Sequence, residues 1–283
     1  MSLDPNASLA GVRHWLLDVE GTLVLDKGYQ PVPGAPQWFH ALREAGHSLR
    51  ILTNNSTHTH VQLAARLAEA GFPVQAQEII SGQSQAAEIL SAQGIRECWL
   101  LGSAALGQTL REAGLKVISL HEEEPPSTEA AVASKPAIAL VMGYLSEISV
   151  PLLSRALALA LRPDCILVAL HKNRLFRNQG RVEPGLGAWV SALEYASGKN
   201  AIVLGKPSPQ LFLSAARSLD APFQDIAMVG DDPFADLAPA RELNIRTVMV
   251  LSGKYTDRSV LANLPDYLQP DLVVPDVTAL PLG

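Results

Sequence analysis

One cadence recurs through the first half of the chain: apolar residues at helical spacing, a glycine, then a short apolar run. Trp38, Phe39, Leu42 and Ala45 precede Gly46 and the run 49–52. Val61, Ala64, Leu67 and Ala68 precede Gly71; Ile89 and Leu90 precede Gly94 and the run 98–101; Leu106, Leu110 and Ala113 precede Gly114 and the run 117–120. Glycine just past a helix takes the left-handed conformation without a Cβ clash. Helices alternating with short buried strands need crossover connections, which give a mostly parallel sheet. The expected class is an open α/β fold.

Four polar clusters follow apolar runs. They are Asp18-Val19-Glu20-Gly21-Thr22, Thr53-Asn54-Asn55, Gly205-Lys206-Pro207, and Gly230-Asp231-Asp232 with Asp236. Polar residues at several strand ends are what a ligand or catalytic site on an open α/β sheet requires. Two clusters lie before residue 60 and two after residue 200. The middle has its own strand and helix signals but no such cluster. The expected division is therefore a core of residues 1–79 and 200–283, with an inserted second α/β domain, 80–199, overhanging the site as a lid.

Composition narrows the partners. The net charge is −6 and no Lys/Arg block occurs, so neither nucleic acid nor an anionic membrane surface is expected as a partner. The stretch 152–170 is interrupted by Arg155, Arg162 and Asp164, so no bilayer crossing is expected. Residues 1–10 read as a frayed arm without a secretory leader, and Cys98 and Cys165 read as reduced thiols of a cytoplasmic protein. The Glu- and Pro-rich segment 121–136 reads as a surface loop.

The clusters suggest phosphoryl transfer. Asp18 is the candidate nucleophile; its attack on phosphorus forms an acyl-phosphate that water then cleaves. An anion approaching a phosphate dianion is repelled, so a cation is needed, and Mg²⁺ suits oxygen ligands. Its candidate ligands are the Asp18 carboxylate, the Glu20 main-chain carbonyl and Asp231, with Asp236 orienting ligands or Lys206. Thr53 and the Asn54 N–H are candidates to hold phosphoryl oxygens, and Lys206 to hold phosphate and Asp18. Plainer readings exist. Asp18 can form a turn, Thr53-Asn54-Asn55-Ser56 can cap the following helix at 61–70, Lys206 can be solvated, and Asp232 can cap a helix near 235–243. His58 and His60 point apart on a helix, which argues against a metal pair. No GxGxxG follows the first strand and no GxSxG elbow occurs, which excludes a dinucleotide oxidoreductase and a serine hydrolase of the α/β type.

The ordered set of Asp18 to Thr22, Thr53-Asn54-Asn55, Lys206 and Gly230-Asp231-Asp232 resembles the haloacid dehalogenase (HAD) superfamily. The insertion between Thr53 and Lys206 looks like its C2 cap of type IIA. Pro184-Gly185-Leu186-Gly187, Leu204-Gly205-Lys206-Pro207-Ser208 and Ser252-Gly253-Lys254-Tyr255 are similar to the subgroup of phospholysine phosphohistidine inorganic pyrophosphate phosphatases. The resemblance implies a Rossmann-like doubly wound core, Mg²⁺ dependence, an aspartyl-phosphate intermediate, a small phosphorylated substrate and a homodimer formed through the caps. It also implies that the loop after the run 165–170 faces the core, bringing His171, Asn173 and Arg174, together with Asn55, to the substrate. The alternative for that loop is a polar strand end in solvent, as expected for Arg177 and Arg181.

Glu20 departs from the resembling pattern. Most phosphatases of that superfamily carry Asp there as the acid for the leaving group and then the base for water, the similar subgroup often carries Ser, and some enolase-phosphatases carry Glu. Glu20 is the candidate acid/base; its extra methylene shifts the carboxyl outward, which favours substrates with good leaving groups such as pyrophosphate, phosphoramidates or aryl phosphates. The alternative function is a weakly active or non-catalytic phosphate-binding regulatory module.

Overall fold

The computed structural model describes residues 9–126, 138–178, 181–262 and 264–282. Most of the expected N-terminal arm and the second half of the expected loop at 121–136 lie outside them. The strands in chain order are β1 (His14–Leu17), β2 (Ser48–Thr53), β3 (Ile79–Ser81), β4 (Glu97–Leu101), β5 (Lys116–Ser119), β6 (Ile138–Met142), β7 (Cys165–Ala169), β8 (Leu175–Asn178), β9 (Arg181–Pro184), β10 (Ile202–Val203), β11 (Ile226–Gly230), β12 (Arg246–Val250) and β13 (Leu272–Val274).

They form two parallel sheets and a hairpin. The larger sheet has the order β13-β12-β11-β1-β2-β3, the smaller β10-β7-β6-β4-β5, and β8 pairs antiparallel with β9. The chain leaves the larger sheet after β3 and returns to it at β11. The short strand Ile202–Val203 pairs with β7 in the smaller sheet.

Strand alternation explains how each sheet is covered on both faces. Trp15 and Leu17 pack with Phe39, Leu42, Leu63 and Leu67 on one side of the larger sheet. Leu16, between them, packs with Leu211, Phe212 and Ala215 on the other. In the smaller sheet Trp99 and Leu101 face the helices Val150–Ala160 and Leu186–Ser197, while Cys98 and Leu100 face Gly82–Ala92 and Ala104–Glu112. Both cysteines are buried and neither is in a disulfide.

The glycine stops hold: Gly46, Gly71, Gly94 and Gly114 all have φ between 74° and 94°. The helical stripe of His60–Glu69 differs from expectation. Leu63 and Leu67 are its buried residues and Val61 is exposed, because the helix turns its 63/67 edge to the sheet. Its cap is also different. Thr59 and Gln62 form a reciprocal capping box, which relieves residues 53–56 of that task. The segment expected to be helical near 235–243 opens as a π-helical turn, Pro233–Leu237, before the helix Ala238–Glu242. Among the described residues no helix is long and apolar enough to cross a membrane.

Candidate active site

In the larger sheet β1 is followed in sequence by its neighbour on one side, β2, while its neighbour on the other side, β11, comes from the far end of the chain. Such a reversal of strand order opens a crevice at the carboxyl ends of the two strands. Asp18 follows β1 and Asp231 follows β11. Lys206 arrives from the loop after β10, and Asp236 from the π-helical turn after β11.

All four side chains are buried. Lys206 Nζ lies 2.5 Å from Asp18 Oδ1 and 2.7 Å from Asp236 Oδ1. The Asp232 N–H donates to Asp236 Oδ2 at 3.1 Å, and Asp231 Oδ2 accepts from the Lys254 N–H at 2.6 Å. Asp232 accepts from the Phe234 and Ala235 N–H groups, as the capping reading expects, and also pairs with Lys254 Nζ at 2.5 Å.

Two glycines make this density of carboxylates possible. A β-carbon at Gly21, which has φ +85°, would run into the Asp231 carboxylate and the Gly253 backbone. One at Gly230 would run into Asp236. The Ser252 hydroxyl donates to the Gly21 carbonyl at 2.8 Å and ties down the turn that carries Glu20.

The acids are poised against one another. Burial raises the pKa of Asp18; Lys206 opposes the shift and the Glu20 charge adds to it. Asp231 is held well above the usual carboxylate range by burial and by Asp18 and Asp236. Asp236 is pushed up to about 7 by burial, with Lys206 opposing and Asp18 adding. Burial disfavours the Lys206 ammonium, but Asp18 and Asp236 outweigh it and hold its pKa above the ordinary lysine value. One ammonium does not offset three buried carboxylates.

A divalent cation fits what remains. Asp18, Asp231 and Asp236 each offer an oxygen, all within 4.8 Å of one another. Hard oxygen donors of this kind suit Mg²⁺. Asp236 has both oxygens engaged, by Lys206 and by the Asp232 N–H, which fits an orienting part better than a direct one.

The segment after β2 links the larger sheet to the smaller one. The Asn54 amide donates to Asn173 Oδ1 at 2.9 Å and to the Lys206 carbonyl at 3.0 Å, and its Oδ1 accepts from the Lys206 N–H at 2.8 Å. Ser56 Oγ accepts from the Tyr144 N–H at 3.0 Å, and its carbonyl accepts from the Ser103 hydroxyl. Thr53 is wholly buried, and its hydroxyl oxygen accepts from the Asn55 N–H at 3.0 Å. These bonds set the carboxyl ends of β4, β6 and β7 against the carboxyl end of β2.

Between the two edges lies a cleft of about 180 Å³. Of the expected site residues, Asp18, Glu20, Asn54, Asn55, His171, Asn173, Lys206, Asp231 and Asp236 line it. Thr53, wholly buried, and Arg174, exposed, are both outside the lining. His171 is buried and neutral: burial, then the charges of Lys27 and Lys206, bring its pKa down to about 3. Among the described residues the Glu20 carboxylate forms no hydrogen bond or ion pair. His58 and His60 point apart, His60 to Ser81 Oγ at 2.8 Å.

The cleft also holds residues outside the expected set. Gly253 and Lys254 line it. The strand-end rule reaches them, since Ser252-Gly253-Lys254 follows the apolar run of β12. Lys27, Tyr144 and Phe176 line it too, and no local pattern marks them, because they meet only through the tertiary fold.

Two family models match the chain. "Haloacid dehalogenase-like hydrolase" matches residues 15–116, and a HAD-hydrolase-like model matches residues 203–280. Chronophin from Bos taurus is 32% identical over 248 residues, covering 84% of this chain and 80% of chronophin. Phospholysine phosphohistidine inorganic pyrophosphate phosphatase from Xenopus laevis is 29% identical, covering 87% of this chain and 85% of its own. Among solved structures, glycerol phosphate phosphatase from Mycobacterium tuberculosis in complex with magnesium superposes with a TM-score of 0.78 at 25% identity, covering 96% of this chain and 77% of the other.

Proposed function

The chain belongs to the haloacid dehalogenase-like hydrolases of type IIA, and from that premise we propose that it is a Mg²⁺-dependent phosphatase that hydrolyses a small phosphorylated compound through an aspartyl-phosphate on Asp18. The observation that carries the reading is the Lys206 ammonium set between Asp18 and Asp236, with Asp231 beside them, at the strand-order switch.

The Asp18 carboxylate attacks phosphorus, and the bond from phosphorus to the leaving oxygen or nitrogen breaks. Lys206 fixes the attacking carboxylate and offsets charge on the phosphoryl oxygens. Glu20 gives its proton to the leaving group, then accepts one from the water that attacks the acyl-phosphate phosphorus. That second step releases inorganic phosphate and restores Asp18. Asn54 and Asn55 present polar groups to the phosphoryl end, and Thr53 supports their turn. Bound to Asp18, Asp231 and the Glu20 carbonyl, with Asp236 behind them, Mg²⁺ would supply the positive charge that lets an anion approach a phosphate dianion.

The inserted unit, expected at residues 80–199, serves on this reading as a C2-type cap whose strand ends carry His171 and Asn173 to the leaving group. The relatives named for phosphatase activity and the magnesium complex of one of them support the proposal. Phosphate release from p-nitrophenyl phosphate is the test. Activity is expected with Mg²⁺, lost on chelation, and at least about 10³-fold lower in Asp18→Asn. A folded Asp18→Asn protein with wild-type turnover would overturn it.

A further inference from the structure

Three lysines line the cleft, and two are spoken for. Lys206 pairs with Asp18 and Asp236, and Lys254 pairs with Asp232. Lys27 differs. It sits in the turn between β1 and the helix Ala35–Glu44, and among the described residues no carboxylate lies within ion-pair distance of it. Its ammonium is instead 3.9 Å from the ring centre of Tyr144 and 3.7 Å from that of Phe176. Those two rings meet edge to face at 5.1 Å. Tyr144 follows β6 and Phe176 is in β8, so both belong to the smaller sheet's side of the cleft.

An exposed lysine ordinarily samples many rotamers. Two aromatic faces fix this one by attraction between the cation and each ring. They also take water from it. That desolvation pulls the Lys27 pKa below its ordinary value, with the charges of Glu20 and Glu183 opposing. The result is a positioned, partly desolvated cation in the cleft, held against Tyr144 and Phe176 and with no carboxylate at ion-pair distance among the described residues.

Building on the phosphatase reading, we propose that Lys27 is a specificity-determining residue that selects substrates whose leaving group carries its own anionic substituent, a carboxylate or a second phosphoryl group. An arriving anion gains an ammonium already desolvated and oriented, so less ordering opposes binding. The aromatic faces of Tyr144 and Phe176 accept the carbon skeleton of the leaving group. His171 adds no charge to the same region, since it is neutral.

Phenyl phosphate and 4-carboxyphenyl phosphate differ by one carboxylate, and pyrophosphate supplies the second-phosphoryl arm. The wild-type protein is expected to show a higher kcat/KM for 4-carboxyphenyl phosphate than for phenyl phosphate, the difference residing in KM. Lys27→Met keeps the stem and removes the charge. It is expected to lower the ratio of the two kcat/KM values about fivefold, while Lys27→Arg restores most of it. A parallel loss for pyrophosphate points to the second phosphoryl as the natural anion, and a loss confined to the carboxylated ester points to a carboxylate. An unchanged ratio in a folded Lys27→Met protein, or an equal loss on both aryl esters, overturns the proposal.

Binding separates this from the phosphatase reading. Titration calorimetry of both aryl esters into Asp18→Asn, in buffer containing Mg²⁺, is expected to show tighter binding of the carboxylated ester, and that preference is expected to shrink in Asp18→Asn/Lys27→Met. A wild-type protein that binds with this preference yet hydrolyses neither ester sinks the phosphatase reading and leaves the Lys27 assignment standing. Equal affinities sink the Lys27 assignment alone.

Discussion

The two parallel sheets are built by the same rule and end differently. Each has alternating apolar residues, helices on both faces and polar residues just past its strands. At the carboxyl edge of the larger sheet these residues are Asp18, Asp231 and Asp236, and Lys206 reaches in between Asp18 and Asp236 from the loop after β10, a strand of the smaller sheet. Past β4, β6 and β7 of the smaller sheet, the groups that hydrogen-bond to the loop after β2 or line the cleft are Ser103, Tyr144, His171 and Asn173, all neutral, while Lys172 in the same stretch turns to Glu194. Two edges of one architecture thus differ in kind: one gathers buried carboxylates, and the other, Lys206 after β10 apart, lines the facing side of the cleft with neutral groups. Fold alone does not draw that line; the residues a few steps beyond each strand do.

Removing the charge balance of the larger sheet's edge tests this most severely. Lys206→Met leaves Asp18 and Asp236 buried without their ammonium. Loss of one member of a buried ion pair costs about 3–5 kcal/mol. We expect a fall of that size in unfolding free energy, measured by urea denaturation in the absence of Mg²⁺, together with loss of phosphatase activity. Asn173→Ala, on the neutral edge, removes one hydrogen bond to Asn54 and is expected to cost only about 1 kcal/mol. Comparable losses for the two variants would show that the charged edge is not the special one.

A smaller effect separates the edges in catalysis. Glu20 stands on the charged edge, with its carboxylate unengaged among the described residues. If its added methylene places the proton poorly, Glu20→Asp raises kcat on alkyl phosphates by about tenfold and changes kcat on aryl phosphates much less, because aryl leaving groups depend less on protonation. Equal or lower rates on both would show that Glu20 is already well placed.

How far these edges are readable in the chain follows from distance. The strand-turn-helix units are local, so the glycine cadence reveals them, as does the arrival of Asp18, Asn54, Lys206 and Asp231 at strand ends. The stripe at 61–68 misleads because periodicity fixes a helix but not its rotation, and Val61 ends in solvent while Leu63 is buried. Thr59 was hidden as the cap because four good capping residues precede it. Lys254 follows the strand-end rule, whereas Lys27 with Tyr144 and Phe176 follows none. Their meeting depends on how one sheet is set over the other, and no spacing encodes that.

His171 offers the finest probe of the neutral edge. Its pKa in the folded protein is brought down to about 3, against about 6.5 for an unperturbed histidine. Between those values the unfolded chain binds a proton that the folded chain refuses. Stability attributable to this group is therefore complete above about pH 6.5. It falls as the pH drops toward 3, by at most about 1.4 kcal/mol per pH unit. The raised acids of the other edge act in the opposite sense, since they accept protons more readily when folded, so the wild-type profile mixes the two. The difference between wild type and His171→Asn isolates the histidine. From pH 7 to 5, that difference is expected to shrink by one proton's slope, the variant losing less stability than the wild type. Parallel profiles would mean that His171 is protonated in the folded protein, and the neutral edge would then carry a charge of its own.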